Sequence, residues 1–247
     1  MLTETLLKHL GALRLPSAAK ALRHQLETPS CSEWSFEERL AQVLDAELAA
    51  RCDRRAQRLD RTARTRSLER AEVAGIDLSV ARGLTPPRLA GWVACDWVRH
   101  RQNLIVTGPT GIGKSYIGMA LGKSAARQGL AVEAWSLPDL LEHVDEANVD
   151  GTARELRRRL ERVPLLILDD FLLNEVDEAH APWLWRLVNA RHLKAATLVV
   201  SPLPPSAWHS QIRSALAADA VVDRLTARAQ FLALSGPSYR ARPTLDA

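Results

Sequence analysis

The stretch Gly108-Pro109-Thr110-Gly111-Ile112-Gly113-Lys114-Ser115 constrains this 247-residue chain more than any other. It fits in full the pattern of a glycine, four residues, Gly-Lys and then Ser or Thr. The apolar run Leu104-Ile105-Val106 precedes it, and an amphipathic helical pattern from Tyr116 to Gln128 follows. A strand that feeds a glycine-rich turn and then a helix points successive backbone N–H groups inward, making a concave nest for phosphate oxygens. The helix N-terminus adds partial positive charge at the same spot. On this reading Gly108 through Ser115, together with Tyr116, form a nucleotide site. Lys114 is expected to reach the β- and γ-phosphates, with the Ser115 hydroxyl on Mg²⁺, so that ATP and Mg²⁺ are the cofactors. The bland alternative is a glycine-rich turn with no ligand.

Four further short apolar runs follow the same logic: Leu130-Ala131-Val132, Leu165 to Leu168, Thr197 to Val200 and Phe231 to Leu234. With the run before the glycine loop they make five strands separated by helical segments. That is the signature of a parallel sheet buried on both faces, an α/β fold with flanking helices. Asp169 and Asp170 stand at the end of the Leu165–Leu168 run. Ion pairing or helix capping would explain one of them. Both together suit a Walker B pair, in which Asp169 holds Mg²⁺ through its water shell and Asp170 orients the attacking water. An additional strand in such proteins lies between the Walker A and Walker B strands. The Thr197–Ser201 strand is expected there, with Ser201 or Pro202 at the tip facing the γ-phosphate. Pro202 has neither a polar side-chain group nor a backbone N–H, so Ser201 is the catalytic candidate.

Charge separates the chain into unlike parts. Lys and Arg number 33 against 29 Asp and Glu, a net +4 that residues 1–102 carry entirely, 17 against 13. Residues 1–70 read as a small all-α domain, 71–102 as a linker and entry helix, and 103–247 as the nucleotide-binding domain. Within the first, residues 3–27 form one or two helices broken near Leu15-Pro16. Ser35 and Glu38 make a capping box that opens a long helix to about residue 65. Ala41, Leu44, Leu48 and Cys52 give that helix one apolar stripe. Arg51, Arg54, Arg55, Arg58 and Arg61 fall within roughly 120° of one face at 100° per residue. They form either a solvated face, a sequence-tolerant contact to double-stranded DNA through phosphates, or a dock for an acidic protein surface. Cys31, Cys52 and Cys95 are scattered, as reduced thiols of a cytoplasmic protein are. No apolar stretch reaches 18 uncharged residues, so no membrane span is expected.

The ordered set of motifs resembles a family. Asn103 through Ser115, Ala120-Leu121-Gly122, the strand ending in Asp169-Asp170, Ser201 with Leu203-Pro204, Trp208-His209 and Asp223-Arg224-Leu225 resemble the IstB-like helper ATPases of transposons. These are relatives of the DnaC helicase loaders in the AAA+ class of P-loop NTPases. Phe36 through Leu40, with Glu47, Arg51 and Arg54-Arg55, is similar to that family's helical arm. Gly236 through Arg240 is similar to its C-terminal signature. The resemblance implies an ATPase of AAA+ fold, a homo-oligomer with sites at subunit interfaces, bound to target DNA and to a transposase. It implies that Arg224 completes a neighbouring subunit's site; a local ion pair with Asp223 is the alternative. The chain departs from the family at Pro202, where Asn or Gln is usual, so slow hydrolysis stimulated by DNA or the partner is expected. Arg240 is a second-sensor candidate. The other functions weighed are a helicase loader, a nucleotide-gated scaffold that scarcely hydrolyses, and a metabolite kinase. The last would leave the basic arm without a role.

Overall fold

The computed structural model describes residues 2–62, 71–78 and 82–239; the side chains of Leu2, Ser32 and residues 55–62 fall outside that description. The chain forms two compact units, Met1–Gln57 and Arg58–Ala247. Arg64, Arg66, Arg70 and Arg240 lie outside the described residues.

The first unit begins with α1 (Leu2–Ala12) and α2 (Pro16–Glu27). The break falls where Pro16 takes the first helical position, which requires no N–H. A short 3₁₀ turn over Pro29–Glu33 leads to α3 (Phe36–Thr62). The capping box forms as expected: the Ser35 N–H donates to Glu38 Oε2 at 2.8 Å, and the Glu38 N–H donates to Ser35 Oγ at 3.2 Å.

The expected apolar stripe of α3 is not the buried one. Leu44 is 49% and Leu48 60% exposed, whereas Val43 and Glu47 are buried. The reason is polar. Glu47 Oε2 accepts the backbone N–H groups of Ser17 at 2.8 Å and Ala18 at 3.1 Å, which are open donors in the first turn of α2. Gln25 Nε2 donates to the Arg39 carbonyl at 3.0 Å on the same side of α3. Rolling the leucines inward would take Glu47 away from the helix end it satisfies.

The second unit holds a sheet of five parallel strands in the order β2-β3-β4-β1-β5. They are β1 (Leu104–Thr107), β2 (Val132–Ser136), β3 (Leu165–Asp169), β4 (Ala196–Ser201) and β5 (Gln230–Ala233). The additional strand, β4, lies between β1 and β3, as expected. Every residue of β3 and β4 is buried, which explains their unbroken apolar runs. β2 starts later than its apolar run suggests. Leu130 instead ends α6 (Lys114–Arg127): its N–H donates to the Ala125 carbonyl and that of Gly129 to Ala126, a Schellman cap with Gly129 at φ +85°.

The remaining helices are α4 (Pro86–Val93), α5 (Asp96–Arg99), α7 (Leu137–Val149), α8 (Ala153–Arg162), α9 (Ala181–Arg191) and α10 (Ala215–Thr226). Pro86 starts α4 as read, but left-handed Cys95 stops it before Trp97. Residues 71–78 do not hang free as a tether. The Glu72 carboxylate takes both Arg127 guanidinium nitrogens at 2.6 Å, and Gly75 lies against the Tyr116 ring. A Cβ on Gly75 would collide with the Tyr116 hydroxyl. The core joins Ile105, Leu166, Leu168 and Val199 of the sheet to Leu140, Leu160, Leu184 and Val221 of the helices.

The N-terminal edge of the sheet is closed by an arginine that donates through all three of its nitrogens. Arg191, 2% exposed, donates to the carbonyls of Leu160, Val163 and Ala196 and to Thr197 Oγ1. Burial pulls its pKa down to about 9. All three cysteines are unpaired thiols, two of them buried. Among the described residues no helix is long and apolar enough to cross a membrane.

Candidate nucleotide site

The glycine loop joins the end of β1 to the start of α6, with Gly113 at φ +94° as the helix cap. Gly108, at φ +144°, runs so close to β5's extension that a Cβ there would strike the Leu234 carbonyl. Only glycine fits both demands. Lys114 is buried at 8% exposure, and its Nζ donates to the Pro109 carbonyl at 2.9 Å across the loop. Pro109, Thr110, Gly111 and Ile112 complete the turn, and Tyr116 follows in the first turn of α6.

β3 brings its carboxylates to the same end of the sheet. Ser115 Oγ donates to Asp169 Oδ1 at 2.9 Å, and the Asp170 N–H donates to the same oxygen at 2.9 Å. Burial pushes the Asp169 carboxyl above its ordinary value and the Asp170 charge adds to this; the hydrogen bonds from Asp170 and Ser115, and the Lys114 charge, act against it. A buried carboxylate held partly toward its neutral form gains from a cation. Among the described residues no group of three or more His, Cys, Asp or Glu could hold a metal alone. The donor set suits Mg²⁺ all the same: a hydroxyl and a carboxylate are hard oxygens, and Mg²⁺ completes its shell with water and phosphate.

Asp170 itself is exposed, with left-handed backbone at φ +47°, a conformation rare for a residue with a side chain. Its position is fixed from behind. The Phe171 N–H donates to the Val200 carbonyl at 2.9 Å, which ties the end of β3 to β4. Ser201 finishes that tie. Its hydroxyl donates to the Phe171 carbonyl at 2.7 Å and accepts from the Leu203 N–H and Trp208 Nε1, with no exposure at all. The expectation that this hydroxyl faces the attacking water is therefore corrected: it is fully engaged inside the fold, where it holds the turn that carries Asp170. Pro202, next along, offers no donor.

Arg224 stands in the last turn of α10, at the far end of β1 from the glycine loop. Asn103, immediately before β1, donates through Nδ2 to the carbonyls of Leu225 at 3.0 Å and Arg224 at 3.3 Å. The strand between them is four residues long, about 13 Å. The guanidinium donates to Asn189 Oδ1 at 2.7 Å and to the Ala220 carbonyl at 3.1 Å, and the local pair with Asp223 does not form. In the first unit, Arg51 and Arg54 each reach Glu47 Oε1, at 3.1 and 3.0 Å, with about half of each side chain exposed. The side chains of Arg55, Arg58 and Arg61 lie outside the described residues.

Sequence reasoning missed one part of this site. A cavity of about 270 Å³ opens beside Gly113, walled by Ile76, Arg82, Leu84, Tyr116, Ile117 and Tyr239 among others. Its walls come from residues up to 164 positions apart, Gly75 to Tyr239, which no local motif signals. The one available cue was Tyr239, inside the C-terminal Gly236–Arg240 signature.

A family model described as IstB-like ATP binding protein matches residues 8–247. The ATP-binding protein of insertion sequence IS1162 from Pseudomonas fluorescens is 39% identical over 83% of this chain and 89% of its own length. The insertion-sequence ATP-binding protein y4pL of Sinorhizobium fredii is 33% identical over 97% of both chains. Among solved structures, the DnaC helicase loader shares the fold, with a TM-score of 0.55 and 15% identity over 69% of this chain and 100% of that one.

Proposed function

Because the chain belongs to the family of IstB-like ATP-binding proteins, we propose that it is an ATPase that assembles on double-stranded DNA and recruits or activates a partner transposase. ATP hydrolysis is the switch between the assembled and released states. The observation that carries this reading is the meeting of Lys114, Ser115, Asp169 and Asp170 at one end of the sheet, where the Ser115 hydroxyl and Asp169 carboxylate lie 2.9 Å apart.

Each group has a role there. The loop N–H groups and Lys114 hold the phosphates and offset their charge. Ser115 and Asp169 hold Mg²⁺, which when bound shields the charge of the phosphate oxygens. Asp170, exposed in front of them, orients and polarises the attacking water. Ser201 acts as a positioning residue, through Phe171. With its hydroxyl engaged and Pro202 donorless, the strand tip supplies no polar contact to the water, and hydrolysis is slow until DNA or the partner alters that tip.

The site is completed by a second copy. Arg224 is fixed at the far end of β1 from its own glycine loop, so it meets phosphate only on a neighbouring subunit. That head-to-tail contact generates an oligomer. The arginine face of α3 supplies the DNA contact by neutralising phosphates without reading bases. The insertion-sequence setting of near-full-length relatives favours a transposase over a helicase as the client. Sizing the full chain with and without ATP and duplex DNA tests the reading. ATP together with DNA should convert a small species into a large one, whereas a size indifferent to both would sink the proposal.

A further inference from the structure

The end of α9 grips Arg224 by its backbone and by its side chain. The Arg224 carbonyl accepts from Asn103 Nδ2 at 3.3 Å and lies 3.3 Å from Nδ1 of His192, the residue that caps α9. Asn103 Nδ2 also donates to the Leu225 carbonyl at 3.0 Å, and Asn103 Oδ1 accepts the Thr197 N–H at 3.0 Å. The open carbonyls at the end of α10 are thus fastened to the starts of β1 and β4. What remains to be fixed is the arginine's own side-chain freedom. Asn189, in the last turn of α9, fixes it: its Oδ1 accepts from Nε at 2.7 Å, while Nη1 donates to the Ala220 carbonyl at 3.1 Å. Asn189 is exposed and Arg224 half-buried, so this contact is no by-product of core packing.

A guanidinium carries N–H donors on all three nitrogens. Here Nε and Nη1 are engaged on their own subunit, and Nη2 meets no acceptor among the described residues. The open nitrogen is at the tip of the fork, where a phosphate oxygen makes a charge-assisted hydrogen bond. We propose that Asn189 is a positioning residue for hydrolysis, holding Nε so that Nη2 is presented to the γ-phosphate bound by the neighbouring subunit. This rests on the shared-site reading of Arg224. An arginine that reaches the interface already in one rotamer gives up less freedom on meeting the phosphate. A small displacement of a group that acts in the transition state removes much of its effect. The benefit falls on the neighbour's site, not on the site of the subunit that carries Asn189.

The test is phosphate release by the full chain on duplex DNA, over a range of ATP, in wild type, Asn189→Ala, Asn189→Leu and Asn189→Asp. The first two substitutions remove the acceptor and should lower kcat about tenfold or more, with KM for ATP within about twofold. Asn189→Asp keeps an acceptor at the same reach and should recover most of the rate. The position is exposed on a helix, where Ala and Leu are favourable, and Asn189→Leu decides the matter if Asn189→Ala does not fold. Mixing separates positioning from a structural role. Asn189→Ala mixed with Asp170→Asn should exceed the sum of the two alone, because some interfaces then pair an Arg224 held by Asn189 with an intact Asp170. A defect that Asp170→Asn subunits do not relieve would make Asn189 a structural residue of its own subunit. A wild-type rate without the acceptor would mean that Arg224 needs no holding, and a faster one that Asn189 withholds it. A raised KM with kcat kept, or an Asn189→Asp as slow as Asn189→Ala, would equally overturn the proposal. If Arg224→Ala itself keeps the wild-type rate, the shared-site reading falls instead.

Discussion

Different physics holds each of the two units together internally. The nucleotide unit buries whole strands, and the fully covered β3 and β4 carry the site at their ends. The helical unit has few buried apolar side chains, Ala18, Cys31 and Val43 among them, while Phe36, Leu40, Leu44 and Leu48 stay exposed along α3. Its organising group is a charge, Glu47, which accepts from two N–H groups of α2 and from two arginines. A site that must place atoms within tenths of an ångström sits on the dense unit. The arginine face proposed to contact DNA begins on the thin one, where the same carboxylate that orders the helices also partly neutralises Arg51 and Arg54.

The largest effect should come from breaking the dense side. Lys114→Ala should weaken ATP about a hundredfold or more without altering the helical unit. Asp170→Asn should keep ATP affinity and lower turnover by about 10²–10⁴. Titration calorimetry and a phosphate-release assay separate the two, and wild-type affinity in Lys114→Ala would remove the loop from the site.

Breaking the thin side should do the reverse. Burial raises the Glu47 pKa, but the hydrogen bond from Arg51, the N–H groups of Ala18 and Ser17, and Arg54 together hold it below the ordinary glutamate value. A carboxylate depressed on folding stabilises above its unfolded pKa and loses that contribution as pH falls through the folded one. The helical unit should therefore loosen as pH falls below the ordinary glutamate range, seen as lost amide protection in α2. Glu47→Gln should remove that acid step and, at neutral pH, should leave ATP binding intact.

Smaller effects sharpen the contrast. Pro202→Asn should restore a polar contact at the tip of β4 and raise kcat by about tenfold with ATP affinity unchanged. No acceleration in a well-folded variant would mean that another group already serves the water. On the arm, Arg54, Arg55 and Arg58 replaced together by Ala should flatten the salt dependence of DNA binding by up to about three phosphate units. Arg54→Ala alone should remove less than Arg58→Ala, because Arg54 already offsets Glu47. Equal slopes in wild type and the triple variant would assign the face to solvent or to a protein.

What could be read from the sequence follows the range of the interactions. The glycine loop, the Asp169-Asp170 strand end and the capping box are each encoded within eight residues, and all three appear where expected. β4 was legible as a strand because buried parallel strands are unbroken apolar runs, and its place between β1 and β3 followed from where an additional strand lies in proteins with this glycine loop. The α3 stripe was misread because leucine periodicity locates an apolar face but not the competing polar contact, and Glu47 finds its partners about thirty residues away. Ser201 was read as facing the water because a hydroxyl at a strand tip looks available; its bonds to Phe171 and Trp208 need the fold to be seen. Arg82 and Tyr239, which both wall the cavity beside Gly113, lie 157 positions apart, and although Tyr239 falls in the Gly236–Arg240 signature no local pattern joins the two.

The central claim is that the nucleotide site is shared between two copies, with Asp170 from one and Arg224 from the next. Arg224→Ala and Asp170→Asn, each inactive alone, should be mixed over a range of ratios and assayed for phosphate release on DNA. Random head-to-tail assembly at equal amounts should restore about a quarter of the wild-type rate, because that fraction of interfaces pairs an intact Arg224 with an intact Asp170. A mixture that stays inactive at every ratio would contradict the shared site and confine Arg224 to the α10 contact it makes with Asn189.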